Sequence, residues 1–132
     1  MPAANPRHVV EQFCKKFPDH LVNLTRIIGD DKSSQFQLKR NLKKLHEESH
    51  RLKGAAYCMG FPSIGAAFLK LEQNTQRLLE SKEEVTPKLM ERIYLDLSKV
   101  AKLRRTVAPD QSKLLQSFEN PAPLTLDDAD AA

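Results

Sequence analysis

The sequence predicts an all-α fold: an antiparallel four-helix bundle, with the option of a short extra N-terminal helix and a flexible C-terminal tail. Three observations carry this. Apolar residues recur at steps of three and four through the first hundred positions, which is the period of a buried helix face. No stretch shows the strict alternation of a half-buried strand. The four glycines stand at 29, 54, 60 and 65, which leaves long glycine-free runs between them.

The first helical stretch covers residues 6–28, with Val9, Phe13, Phe17, Leu21, Leu24 and Ile28 on one face. Pro18 is expected to divide it into a short first helix and a second beginning near Asp19, because proline lacks the interior N–H. Gly29 through Ser33 reads as a C-cap and loop, and Ser33 or Ser34 caps the next helix. That helix, about 34–59, is the most regular one. Leu38, Leu42, Leu45, Ser49, Leu52, Ala56 and Met59 make a single seam. Gly60-Phe61-Pro62-Ser63 ends it, and Pro62 suits the first turn of a third helix running to about residue 81. Thr86 caps a fourth helix that Pro87 opens, with Leu89, Met90, Ile93, Leu97, Val100 and Leu103 as its apolar stripe. The bundle domain is therefore placed at 1–107. Residues 108–132 are read as a tail, with a weak helix over 110–118 and then a flexible acidic end.

The totals narrow the class. At 132 residues one core forms without metal or disulfide. Cys14 and Cys58 fall on apolar-rich helical stretches and are read as reduced, packed thiols. No run approaches the ~18 apolar residues that cross a bilayer, and the first residues lack a signal-peptide core, so a cytoplasmic, membrane-free protein is expected. The net charge of +4 hides an asymmetry: of 21 basic residues only Lys113 lies beyond residue 106, together with Asp110, Glu119, Asp127, Asp128 and Asp130. A basic body favours acidic partners. It lacks the dense arginine clusters and interleaved exposed aromatics of a nucleic-acid surface, so nucleic acid is not expected among them.

The chemistry concentrates in His50-Arg51-Leu52-Lys53-Gly54-Ala55-Ala56-Tyr57-Cys58-Met59-Gly60. His50 lies roughly 140° around the helix from Leu45, at ~100° per residue, and so points away from the seam. Lys53 at i+3 shares its side of the helix, and Gly54 at i+4 is costly in a helix unless something bulky must fit beside it. An imidazole, a cation and open space are what a histidine needs to carry a phosphoryl group. The turn near residues 60–62 sets Glu72 level with His50 on the next helix. It can accept a hydrogen bond from Nδ1–H and leave Nε2 as the nucleophile.

The string resembles the signature of histidine-containing phosphotransfer (HPt) domains, His-x-Leu-Lys-Gly-x-Ala-x-x-x-Gly, with every fixed position filled. Chemotaxis-type kinases of that family usually carry another histidine 19 positions on, where this chain has Leu69. The resemblance implies a phosphocarrier, not an enzyme, similar to free-standing bacterial members without an ATP-binding kinase domain. It would exchange phosphate with response-regulator receiver domains and with a hybrid sensor histidine kinase. No cofactor of its own is expected, since Mg²⁺ belongs to the receiver's acidic pocket, and a monomer is expected. Docking candidates are Lys43, Arg51, Tyr57 and Phe17, with Lys44 as a steering charge and Phe13 either docking or core.

Two rival readings remain at this point. A helical adaptor could sequester a receiver without turning over phosphate. His46-Glu47-Glu48-Ser49-His50 also matches the zinc-protease helix, and Glu72 could be offered as a third ligand. But the Gly and His that extend one subclass of the motif are missing, with Lys53 and Tyr57 in the nearby places, and an all-helical chain offers no edge strand to hold a substrate.

Overall fold

The computed structural model describes residues 5–29 and 34–119, all of them in helices, helical turns and short connections. The acidic end at 120–132 lies outside the described residues. Four long helices run α1 (Pro6–Ile28), α2 (Gln35–Cys58), α3 (Pro62–Glu80) and α4 (Pro87–Lys102). Two 3-10 turns, Leu103–Thr106 and Pro109–Gln111, then lead into a short α5 (Lys113–Glu119).

Each start is fixed by local chemistry. Asn5 accepts from Arg7 N–H ahead of Pro6, and Thr86 accepts from Leu89 N–H ahead of Pro87. Ser34, rather than Ser33, caps α2, and Gln37 reaches back to complete a capping box. The α2 end folds into a Schellman turn: Phe61 N–H donates to the Ala56 carbonyl, and Gly60 takes a φ of 85°.

Pro18 does not divide the first helix; α1 is continuous from Pro6 to Ile28. Proline costs one intrahelical hydrogen bond there. Burial of Val10 and Phe17 before it and Leu24 and Ile28 after it holds both halves on one core, so among the described residues no separate N-terminal helix forms.

The core draws on every long helix. Leu42, Leu45, Leu52 and Ala56 of α2 meet Ile64, Phe68 and Leu71 of α3 and Ile93 and Val100 of α4. Phe13 stacks on Phe61 with centroids 5.8 Å apart, and Phe17 meets Phe68 edge-on at 6.3 Å. Ser49 and Thr75 sit in this core because each hydroxyl donates to a carbonyl one turn back. Asp96, also buried, accepts from Asn74 Nδ2 across the α3–α4 contact, with Arg92 Nε 3.8 Å away.

The segment after residue 107 is packed rather than free, so the packed unit continues past the boundary expected at 107. Lys113 N–H donates to the Gly60 carbonyl at 2.8 Å, Ser112 Oγ donates to the Met59 carbonyl, and Leu115 is buried. Arg7 and Glu119 close the same end with a 2.7 Å ion pair. A Cβ on Gly60 would run into the backbone of Lys113 and Leu114, so this glycine serves both the turn and the docked segment.

The thiols divide. Cys14 is half-buried, and burial pushes its thiol up to about 11, as expected of an inert packed cysteine. Cys58 is exposed, against expectation, because it stands about 200° around α2 from Ala56 and so lies off the buried seam. Both are free thiols. Among the described residues no helix is long and apolar enough to cross a membrane.

Candidate functional site

The α2–α3 pair is an antiparallel hairpin whose contacts are symmetric about Phe61. His50 meets Glu72 across it, and Tyr57 meets Gly65. That register brings the sequence-selected residues together.

His50 is two-thirds in solvent, with 67% of its side chain exposed, and its Nδ1 lies 3.1 Å from Glu72 Oε1. Lys53 Nζ lies 2.7 Å from the other carboxylate oxygen, Oε2. At that distance the ammonium both pairs with the carboxylate and donates a hydrogen bond to it. Lys53 is thus not a solvated surface cation: its side chain is 21% exposed and that of Glu72 16%. Burial pushes the Glu72 carboxyl up, but its contacts with Lys53 and His50 outweigh this and hold it below its ordinary value. Glu72 is therefore a carboxylate at neutral pH and can only accept. The 3.1 Å contact then requires a proton on His50 Nδ1, and in the neutral ring Nε2 keeps its lone pair.

Gly54, one turn beyond His50, is exposed, and a Cβ built there meets nothing within 4 Å. The space expected beside the imidazole is present. Lys43 and Arg51 are exposed on α2, and Arg51 pairs with Glu48 at 2.7 Å. His20 of α1 lies close by: burial and then the Arg51 charge hold its pKa down. Tyr57 is 46% exposed.

Phe17 does not belong with the docking candidates. It is 1% exposed, wedged between Phe13 and Phe68, because its position on α1 faces the core. Phe13 likewise packs against the core, on Phe61 and Phe17. The zinc-helix pair His46 and His50 gains no partner ligand, since Glu72 is engaged by His50 Nδ1 and Lys53. Among the described residues no group of three His, Cys, Asp or Glu side chains is placed to hold a metal.

Sequence reasoning passed over Gly65. Its signal was a glycine inside the apolar run Ile64-Gly65-Ala66-Ala67-Phe68, a position where glycine marks close approach by a neighbour.

No curated protein and no solved structure matches the chain. A family model for the Hpt domain matches residues 8–107, from the first turn of α1 to the turn after α4. That span contains the His50–Lys53–Glu72 cluster and all four bundle helices, and the chain belongs to the Hpt domain family, the histidine phosphotransfer modules of phosphorelays.

Proposed function

We propose that this chain is a phosphocarrier of a two-component phosphorelay, with His50 as its phosphoacceptor. It takes the group from the aspartyl phosphate of a receiver domain and passes it to the receiver of another response regulator. The observation that carries the reading is the contact that fixes the His50 tautomer: the partly buried Glu72 carboxylate takes Nδ1–H while the rest of the ring stands in solvent.

The step balances without an added base. The Nε2 lone pair attacks phosphorus, the bond from phosphorus to the aspartyl oxygen breaks, and the receiver keeps the carboxylate. The ring then carries a positive charge, which Glu72 stabilises through Nδ1–H. Lys53, held within reach by Glu72, offers its ammonium to the phosphoryl oxygens as they arrive. The reverse transfer uses the same atoms, so direction follows the relative stability of the two phosphorylated partners. This chain works as a monomeric carrier in the cytoplasm, where it meets receiver domains and the receiver of a hybrid sensor kinase. Mg²⁺ is supplied by the receiver.

The test is labelling by a receiver domain charged with radioactive acetyl phosphate. Wild-type protein should take up a label that is acid-labile and base-stable, and His50→Gln should take up none. Undiminished labelling of His50→Gln would assign the phosphoacceptor elsewhere. Tight binding of a charged receiver without any transfer would favour the sequestering adaptor.

A further inference from the structure

His50, Gly54 and Tyr57 stand at i, i+4 and i+7 of α2 and so form one row on its surface. The two ends of the row are tied to α3 in different ways. His50 is held by the Glu72 carboxylate, whereas Tyr57 is held by an absence: a Cβ on Gly65 would lie 2.7–2.8 Å from three atoms of the Tyr57 ring. The ring occupies space that any side chain at 65 would take. Gly65 is buried in α3, where glycine is disfavoured relative to alanine in helix propensity. The seated ring remains 46% exposed, so core packing alone gives no account of it.

We infer that Tyr57, seated on Gly65, is the apolar platform on which a receiver domain docks to exchange phosphate with His50, and that Gly65 is the positioning residue for that ring. The inference rests on the phosphoacceptor reading of His50. Distance supports it. Seven residues of helix separate His50 from Tyr57 by about 10.5 Å. A standard interface covers roughly 800 Å² on each partner, equivalent to a disc of about 16 Å radius. Any folded domain that brings an aspartate onto Nε2 therefore reaches the Tyr57 ring. The other large exposed apolar side chain of α2, Phe36, is 14 residues away, about 21 Å, and falls outside such a disc. Toward Phe36 the His50 row carries His46 and Lys43; toward Tyr57 it carries the open Gly54 floor and then the aromatic ring. The apolar centre of the contact thus lies on the Tyr57 side, with Arg51 and Lys43 as its charged rim. A half-buried ring with few rotamers to lose suits a contact that must form and release repeatedly.

The test measures transfer from receiver domains charged with acetyl phosphate as a function of receiver concentration, for wild type, Tyr57→Phe, Tyr57→Ala, Gly65→Ala and the Tyr57→Ala/Gly65→Ala pair. Phosphoramidate, a small donor that needs no docking surface, is run in parallel to report the reactivity of the imidazole itself. Tyr57→Ala should raise the half-saturating receiver concentration about tenfold and lower the ratio of receiver-driven to phosphoramidate-driven labelling by a similar factor. Tyr57→Phe should restore most of both. Gly65→Ala should raise the half-saturating concentration in the wild-type background and add nothing once Tyr57 is alanine, because it acts through the ring. Wild-type half-saturation in Tyr57→Ala would overturn the platform. An equal Gly65→Ala effect in both backgrounds would overturn the positioning role and leave a change in the bundle instead. Failure of wild type to accept label from any charged receiver would overturn the phosphoacceptor reading itself, and this inference with it.

Discussion

Glu72 offers the sharpest test of the site, because one carboxylate performs two separable tasks. Oε1 fixes the His50 tautomer at 3.1 Å and Oε2 holds Lys53 at 2.7 Å. Glu72→Ala removes both. Exposed ion pairs contribute about 0–1 kcal/mol, and breaking a buried one costs about 3–5 kcal/mol. With side chains 16% and 21% exposed, the Glu72–Lys53 pair sits between, so the variant should lose about 1–3 kcal/mol in urea denaturation. The chemical loss is of similar size in free energy but is read as a rate. A hydrogen bond to a charged group is worth about 1.5–3 kcal/mol. At about 1.4 kcal/mol per factor of ten, its removal from the transition state slows transfer roughly 10- to 100-fold at saturating receiver. Glu72→Gln separates the tasks: its amide oxygen can still accept Nδ1–H, but it offers no charge to Lys53 or to the phosphorylated ring. Its transfer rate should fall less than tenfold, between wild type and alanine. Single-turnover transfer, followed by loss of label from the receiver, reads all three proteins. Wild-type rates in Glu72→Ala would refute the tautomer argument. A glutamine variant as slow as the alanine one would show that charge, and not the hold on Nδ1, is what matters.

The same carboxylate sets a pH dependence. Its folded pKa lies below the ordinary 4.5, so its contribution to stability is present above about pH 4.5 and is lost as pH falls through the folded value; the stability difference between wild type and Glu72→Gln in urea melts should shrink in that acid range. Gly54→Ala should raise stability by up to about 1 kcal/mol, since its Cβ meets nothing within 4 Å, whereas Gly54→Gln should keep the helical circular dichroism and block transfer by filling the space beside the imidazole. Normal transfer in Gly54→Gln would show that the space is not used. Gly60→Ala should destabilise the protein by about 1–3 kcal/mol, because φ is 85° there and the new methyl meets the backbone of Leu114; an unchanged melting curve would mean that the 109–119 segment does not hold that turn.

Much of this protein is readable from local chemistry. The α2 seam, the Thr86-Pro87 start and the Gly60-Phe61-Pro62 break are short-range signals, each involving residues within a turn or two of one another. His50, Lys53 and Gly54 share one helix, so their common side follows from 3.6 residues per turn. Glu72 followed from counting equal distances from the turn, and the 3.1 Å contact shows that the hairpin keeps that count. Other features were decided by what each helix meets. Pro18 should stop a helix on local grounds, yet α1 runs through it because both flanks bury side chains on one core. Phe17 lies on the apolar face of α1 and also reads as a docking residue; packing on Phe13 and Phe68 seals it in the core, while Tyr57, on the polar side of α2, is left half in water. Asp96 occupies a core position of α4 between Ile93 and Val100, which periodicity reserves for an apolar residue; Asn74 on α3 makes it tolerable, and no pattern within α4 reveals that partner. The weak C-terminal helix found its place through hydrogen bonds to Met59 and Gly60, more than fifty residues away in the chain. Periodicity and capping act over a few residues and are written in the sequence itself. The partner of a buried charge, the seat of a ring and the dock of a short helix depend on surfaces that exist only once the helices have packed.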